Sequence, residues 1–222
     1  MIELMDLRQT LDSIASCNDD GEVWERYGWV HATDGGALTA HFWLPASQEE
    51  AFDEDALPAA ARALGLSSFL EPASFADVLE VQKRQRPLSS LQDYAQALDY
   101  YAEYDAFLQV PGIDEALGEA PAAAQAAARE AGVGPGIFNS FDVVLAACPP
   151  PQLKDAARQV ALHLSLSIAE AHARCQRLPL CLGEQVDGRR AAALVAAFAA
   201  VGIPLQVRGY GPFPWSAEPS VQ

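Results

Sequence analysis

Chemistry needs reactive side chains held close together, and this sequence offers few such sets. Its four histidines, His31, His41, His163 and His172, are scattered, with no H-E-x-x-H pair. No G-x-S-x-G elbow occurs, and the run Gly132-Val133-Gly134-Pro135-Gly136 lacks the Lys-Ser/Thr that follows a phosphate loop. Cys17, Cys148, Cys175 and Cys181 show no C-x-x-C spacing and read as buried or idle thiols; Cys175 and Cys181 have no further metal ligands nearby. The expectation is a protein with no catalytic residue, no metal and no cofactor.

What the chain concentrates instead is carboxylate and tyrosine. Ser89-Ser90 caps a helix expected from Leu91 to about Leu108, in which Tyr94, Tyr100, Tyr101 and Tyr104 alternate with Asp93, Asp99, Glu103 and Asp105. Tyr100 and Tyr104 are four apart and share a face beside Asp99 and Glu103. Tyrosine supplies contact area and a hydrogen bond together, so rigid tyrosines among carboxylates suit the grip of a basic protein. A second acidic group, Glu49, Glu50, Asp53, Glu54 and Asp55, lies in 48–55. The expected partner-binding surface is Tyr100, Tyr104, Asp99, Glu103 and Asp105 with those five acids. Packing of the tyrosines on a neighbouring hairpin, and a solvated helix start at 48–55, are the competing readings.

Charge placement supports the first reading. The 222 residues carry a formal charge of -16, and residues 1–115 hold 22 acidic and 6 basic side chains against 8 and 8 in 116–222. Such asymmetry predicts two units, the acidic one facing a cationic partner. Nucleic acid and anionic membrane are poor ligands for that half, because phosphate binding needs Lys and Arg. The N-terminus lacks a basic segment followed by an apolar one, and the longest apolar stretch, 191–203, is too short to span a bilayer; the expectation is a cytoplasmic protein.

The elements that would position these residues can be read in order. Apolar Leu4, Leu7, Leu11 and Ile14 recur at helical spacing over 2–16, and 18–21 reads as a turn. Stretches 23–33 and 38–44 are rich in aromatic and β-branched residues, and Asp34-Gly35-Gly36 between them predicts a hairpin. A tight turn there would set His31 opposite Ala40 and His41 opposite Val30, with the histidines on opposite faces; Trp24, Trp29, Phe42 and Trp43 read as sheet and core packing rather than a ligand box. Helices are expected over 57–64, stopping at Gly65, and over 74–85, with a short strand at 67–70. The stripe Leu91, Ala95, Leu98 and Ala102 is the expected core face of the tyrosine helix. Residues 113–138, rich in Ala, Gly and Pro, read as a linker with a helical spacer at 119–131.

The second half has the clearest order: a strand at 141–145, a helical region over 153–178, a short strand at 180–182, an alanine-rich helix over 189–201 and a strand at 204–208. This β-α-α-β-α-β series predicts a small α/β sandwich with Phe141, Val143, Leu145, Val160, Leu164, Ile168, Leu194, Phe198, Leu205 and Val207 in its core. The predicted fold class is α+β or α/β with two small domains: an acidic helix-plus-hairpin domain over 1–112 and the sandwich over 139–212, followed by a tail over 213–222.

Two resemblances go with these residues. Phe75-Ala76-Asp77-Val78-Leu79, Gln85-Arg86-Pro87-Leu88-Ser89-Ser90-Leu91 and Leu98-Asp99-Tyr100-Tyr101-Ala102-Glu103-Tyr104-Asp105-Ala106-Phe107 resemble the C-terminal part of a small, acidic, largely uncharacterised bacterial domain family. That resemblance implies cytoplasmic proteins, some beside secreted toxins, with no catalytic residue to carry over. Phe141-Asp142-Val143-Val144-Leu145, Ser165-Leu166-Ser167-Ile168-Ala169-Glu170-Ala171, Pro179 and Ala192–Ala200 with Gly202-Ile203-Pro204-Leu205-Gln206-Val207 are similar to the C-terminal domain of the bacterial ribosomal stalk protein. The stalk family binds translation factors through basic residues on two adjacent helices. Arg158 stands at one such position, but Ala161, Ala169 and His172 stand at others, and Ser165 and Ser167 replace glycines. The resulting expectation is an immunity-type protein, not an enzyme, that binds a cationic secreted toxin and blocks its active site. A nuclease effector of type VI secretion is one such toxin, encoded by an adjacent gene. The alternative is a translation-factor or ribosome-associated binding module.

Overall fold

The first helix is fixed at its start by chemistry local to the sequence. Asp6 accepts the Gln9 N–H at 2.8 Å, and the Gln9 side chain accepts the Asp6 N–H at 2.9 Å, so two free amide ends are satisfied reciprocally. The helix, α1 (Leu7–Ala15), then buries Leu7, Leu11 and Ile14. The computed structural model describes residues 4–45, 57–113 and 118–221. The chain divides into two units: unit 1 is Met1–Phe138 with Pro212–Ser216, and unit 2 is Asn139–Gly211 with Ala217–Gln222.

Unit 1 continues with α2 (Asp20–Arg26), β1 (Val30–Ala32), β2 (Phe42–Trp43), α3 (Ala59–Ala63), β3 (Ser67–Leu70), α4 (Pro72–Gln85), α5 (Leu91–Tyr104) and α6 (Ala122–Glu130). Its sheet has the order β2-β1-β3 and is antiparallel throughout. The expected strand over 23–33 is half helix. Asp19 accepts the Glu22 N–H at 2.8 Å, and Asp20 and Glu22 sit in the first turn, where acids favour helix over the strand preference of Val23 and Trp24. Trp24 is 50% exposed and Trp29 is also exposed, so neither is core, whereas Phe42 and Trp43 are buried as expected.

The hairpin register also differs from the expectation. Thr39 and Ala40 N–H both donate to Gly36 O, which lengthens the turn, and His31 pairs with Trp43, not Ala40. An odd register shift moves side chains to the other face. The shift sets His31 against Trp43, on which it stacks at 5.4 Å; all three residues of β1 are buried, His31 among them, while His41 is exposed and lies outside the strands. Burial, opposed by the Ser67 backbone, holds the His31 imidazole below its ordinary value of 6.5. Folding then favours neutral His31. Its contribution is present above about pH 6.5 and is lost as pH falls toward the lower folded value. A His31→Phe chain should lose that part of the acid sensitivity in thermal melts below about pH 6.5, the reference histidine value. Equal acid sensitivity in both chains would assign it to other groups.

Two further differences concern the boundaries of unit 1. The stretch expected as a linker, 113–138, does carry a helix, α6, within its expected spacer, but Ile137 near its end is fully buried in the unit 1 core. The expected tail is equally structural: Phe213 is buried in the same core, and Trp215 packs against it.

Unit 2 runs β4 (Ser140–Leu145), a 3-10 turn at Pro150–Gln152, α7 (Leu153–Leu164), α8 (Ile168–Cys175), β5 (Leu180–Asp187), α9 (Gly188–Ala199) and β6 (Gln206–Tyr210). This is the expected order of elements, and β4 is the central strand of an antiparallel β5-β4-β6 sheet. Ser165 breaks the helical region by adopting φ +55°, and Ser167 then starts α8 by accepting the Glu170 N–H at 3.2 Å. Most of the expected core is buried, but Ile168 is 57% exposed and Val207 is also exposed. Ile168 occupies the first position of α8, whose inward face is instead Ala171 and Cys175. In β6 the buried residues are Gly209 and Tyr210, nearer the strand end.

Asp142 organises one face of that sheet. Its Oδ1 accepts the Gln185 N–H at 2.9 Å and its Oδ2 accepts the Tyr210 hydroxyl at 2.5 Å. Gln185 has φ +49°, and the register of β4 against β5 shifts between Phe141 and Val143. The carboxylate thus supplies a partner for an amide that the irregular ladder leaves over.

Candidate functional site

Helix α5 is anchored at one end and open at the other. At its start, Ser90 and Asp93 form a reciprocal cap, with Asp93 also 2.5 Å from Arg86. Burial pushes the Asp93 carboxyl up, but the Ser90 bonds and Arg86 outweigh it and hold the group below its ordinary value. The buried face is Tyr94, Ala95, Ala97 and Leu98; Ala102, expected in that stripe, is exposed. Tyr94 replaces it because its large ring reaches the aromatic residues Phe213 and Trp215. The helix stops at Tyr104, earlier than expected, because Asp105 turns to φ +50°, a conformation that Asp tolerates better than most residues.

The free end carries the aromatic and acidic groups together. Tyr100 and Tyr104 meet with ring centroids 4.7 Å apart, and Tyr101 meets Phe107 at 5.2 Å. Tyr104 is 57% exposed and Phe107 is 45% exposed. The Tyr104 hydroxyl bonds to the Glu103 carboxylate, which pushes the phenol above its ordinary value. Glu103 and Asp105 are exposed. A helix C-terminus carries partial negative charge and is ordinarily met by cations. Here the last turn has no basic residue and adds carboxylates, an arrangement that helix stability alone would not favour.

Asp99 has a different task. Its Oδ1 accepts the Ala37 N–H at 2.7 Å, and a Cβ on Gly36 would come within 3.2 Å of its other oxygen. Asp99 therefore holds the 34–40 loop against α5, and glycine at 36 permits the approach. That loop presents exposed Leu38. The structure thus brings Tyr100, Tyr104, Glu103 and Asp105 to one helix end and makes Asp99 a positioning group. Glu49, Glu50, Asp53, Glu54 and Asp55 lie outside the described residues. Phe107 was missed by sequence reasoning, because it follows a helix end that the spacing extended to Leu108. Leu38 was missed because its neighbour contacts α5 across 62 residues of chain.

An open groove of about 610 Å³ in unit 1 is lined by Met5, Gln9, Asp12, Ser13, Tyr27, Trp43 and Leu44. The Tyr27 hydroxyl donates to Ser13 O at 3.2 Å, and Asp12 accepts the Trp215 indole N–H at 3.0 Å. Burial pushes the Tyr27 phenol up. Its acid and phenol are thus bonded within the fold, and neither is aimed at the other as an acid–base pair. Among the described residues no group of three or more His, Cys, Asp or Glu is placed to hold a metal ion, and no helix is long and apolar enough to cross a membrane. In unit 2, Arg158 is paired with Asp155 at 3.2 Å, Ala161 is buried, Ala169 is exposed and His172 is half-buried.

Residues 4–110 match the family model of a domain of unknown function, DUF7716. The match ends at Val110, whose N–H donates to Gln85 Oε1 at 2.7 Å, and it leaves α6, unit 2 and Pro212–Ser216 outside. Neither the curated proteins nor the solved structures gave a match to this chain.

Proposed function

We propose that this chain is a cytoplasmic immunity-type protein, a binder and not an enzyme, that docks a cationic protein toxin on the C-terminal end of α5. The observation that carries the proposal is the pair of half-buried Tyr100 and exposed Tyr104 at a helix end bearing Glu103 and Asp105 and no basic residue. The charge of the unit supports it: unit 1 contains 24 acidic and 7 basic residues. Its cations are further depleted at the surface, because Lys83 is buried and Arg8, Arg26 and Arg86 are paired with Asp12, Glu22 and Asp93. Carboxylates would steer the encounter, and the aromatic residues would fill the desolvated centre of the contact.

The two contributions separate kinetically. Against the basic toxin encoded by the adjacent gene, the double change Glu103→Lys/Asp105→Lys should slow association and flatten its dependence on salt. Tyr104→Ala should shorten the bound lifetime, with a loss of about 2 kcal/mol for a central aromatic anchor. Stopped-flow binding with folding checked by circular dichroism measures both. Asp99 is unsuitable for this test, since its loss would release the 34–40 loop. Unchanged kinetics in both variants would remove the α5 end from the interface, and absence of any complex would overturn the immunity reading.

A further inference from the structure

Unit 1 holds a segment of its own chain the way a peptide-binding domain holds a ligand. Several groups of Pro212–Ser216 are met by unit 1 side chains. Lys83 Nζ donates to the Pro212 carbonyl, Arg8 donates to the Trp215 carbonyl at 3.4 Å, and Asp12 accepts the Trp215 indole N–H at 3.0 Å. The Tyr94 ring receives Phe213 at 5.3 Å and Trp215 at 6.1 Å, both nearly perpendicular, and those two rings stack on each other at 4.9 Å. The segment also closes on itself, Phe213 N–H to Ser216 Oγ at 3.2 Å and Ser216 N–H to Phe213 O at 3.0 Å. Prolines at 212 and 214 limit its backbone before it is bound, which lowers the entropy lost on seating.

The recognising groups, Arg8 and Asp12 on α1, Lys83 on α4 and Tyr94 on α5, all fall inside residues 4–110, the part that matches the domain family. The segment they hold lies more than a hundred residues beyond that match. Cradle and occupant are therefore separable in sequence. We infer that α1, α4 and α5 of unit 1 form a binding site for a proline- and aromatic-containing peptide of the Pro-Phe-Pro-Trp type, which this chain fills in cis with its own residues 212–216. The Tyr94 hydroxyl is buried and has no hydrogen-bond partner among the described residues. It is a donor that the cis segment leaves unused, so a peptide offering an acceptor there would gain a contact that Pro212–Ser216 lacks.

The test uses the full chain and the labelled peptide Gly-Pro-Phe-Pro-Trp-Ser-Ala. In the wild type a tethered segment competes at an effective concentration in roughly the millimolar range, which suppresses binding from solution. The double variant Phe213→Ala/Trp215→Ala vacates the cradle, and should bind the peptide at least about tenfold more tightly than the wild type in fluorescence anisotropy. A peptide with both aromatic residues changed to Ala should not bind. Adding Asp12→Ala to the vacated chain should weaken peptide binding, because the indole N–H then loses its acceptor. A vacated chain that keeps its far-ultraviolet circular dichroism and binds no peptide overturns the inference. So does equal binding of the aromatic and the Ala-substituted peptide. If the vacated chain loses its helical signal, the peptide must restore it at concentrations up to about 1 mM, and failure to do so also overturns the inference.

Discussion

Phe198→Ala should destabilise unit 2 by about 3–5 kcal/mol, the range for truncating a buried aromatic ring. Phe198 is fully buried on α9, on the same face as Ala191 and Leu194, and its ring lies 6.4 Å from that of His163 on α7. Its neighbours cannot easily close a void. The backbone carbonyl of Phe198 accepts both the Val201 and the Ile203 N–H, which fixes the chain as it leaves the helix. Apart from Leu194, itself already buried, the α9 face around Phe198 is mostly alanine, which has no reach to swing in. All four tryptophans belong to unit 1, so the loss is best read from amide exchange of β4, β5 and β6. Leu162→Ala is the control: Leu162 is 72% exposed and its loss should stay within about 0.5 kcal/mol. If the two variants exchange alike, Phe198 is not the centre of this core.

The same contrast explains what could be read from the sequence. Unit 2 was legible because its signals are local: β4 ends before a proline run, Ser165 and Ser167 punctuate two helices, and Asp187 caps a third by accepting the Arg190 N–H at 2.7 Å. Unit 1 hid its decisive contacts in long-range pairs. The Asp19 cap overrode a strand-like composition, and the 36–40 turn shifted the hairpin register. Asp99 was placed among the candidate contact residues, although its charge is spent on Ala37. The aromatic faces were only half legible. Four-residue spacing does bring Tyr100 and Tyr104 together, but it says nothing of Tyr94, whose burial depends on Phe213 and Trp215. Two aromatic residues between prolines were a signal that 213–222 was more than a tail. Lys83 gave a signal too, since it adjoins Gln82 on the α4 face that also carries Leu79, where a solvated lysine has no place.

That lysine gives the second large effect: the stability of unit 1 should rise with pH from neutrality to about pH 8, below the ordinary value of a thiol. Burial holds the Lys83 amine down to about 7 from its ordinary 10.5, with Glu80 pulling weakly the other way. Between those two values the unfolded chain binds one more proton than the folded chain, and stability increases with pH wherever the unfolded state holds more protons. The cost of burying the charged amine is thus fully present below pH 7 and is relieved as Lys83 deprotonates, at up to about 1.4 kcal/mol per pH unit. Above that window other groups work in the opposite sense. Burial pushes the Cys17 thiol and the Tyr94 phenol above their ordinary values, so ionisation of the unfolded chain lowers stability there. Lys83→Met separates the contributions. It keeps the stem's length, removes the titrating amine and leaves the Gly136 and Pro212 carbonyls without their donor, a loss of about 1–3 kcal/mol for buried polar groups that does not vary with pH. Denaturation followed by tryptophan fluorescence, which reports on unit 1, should therefore show a rising curve for the wild type and a flat one for the variant between about pH 7 and 8, below the reference thiol value. Parallel curves would mean that Lys83 stays protonated throughout, its charge satisfied by the two carbonyls and by the Phe213 ring 5.9 Å away.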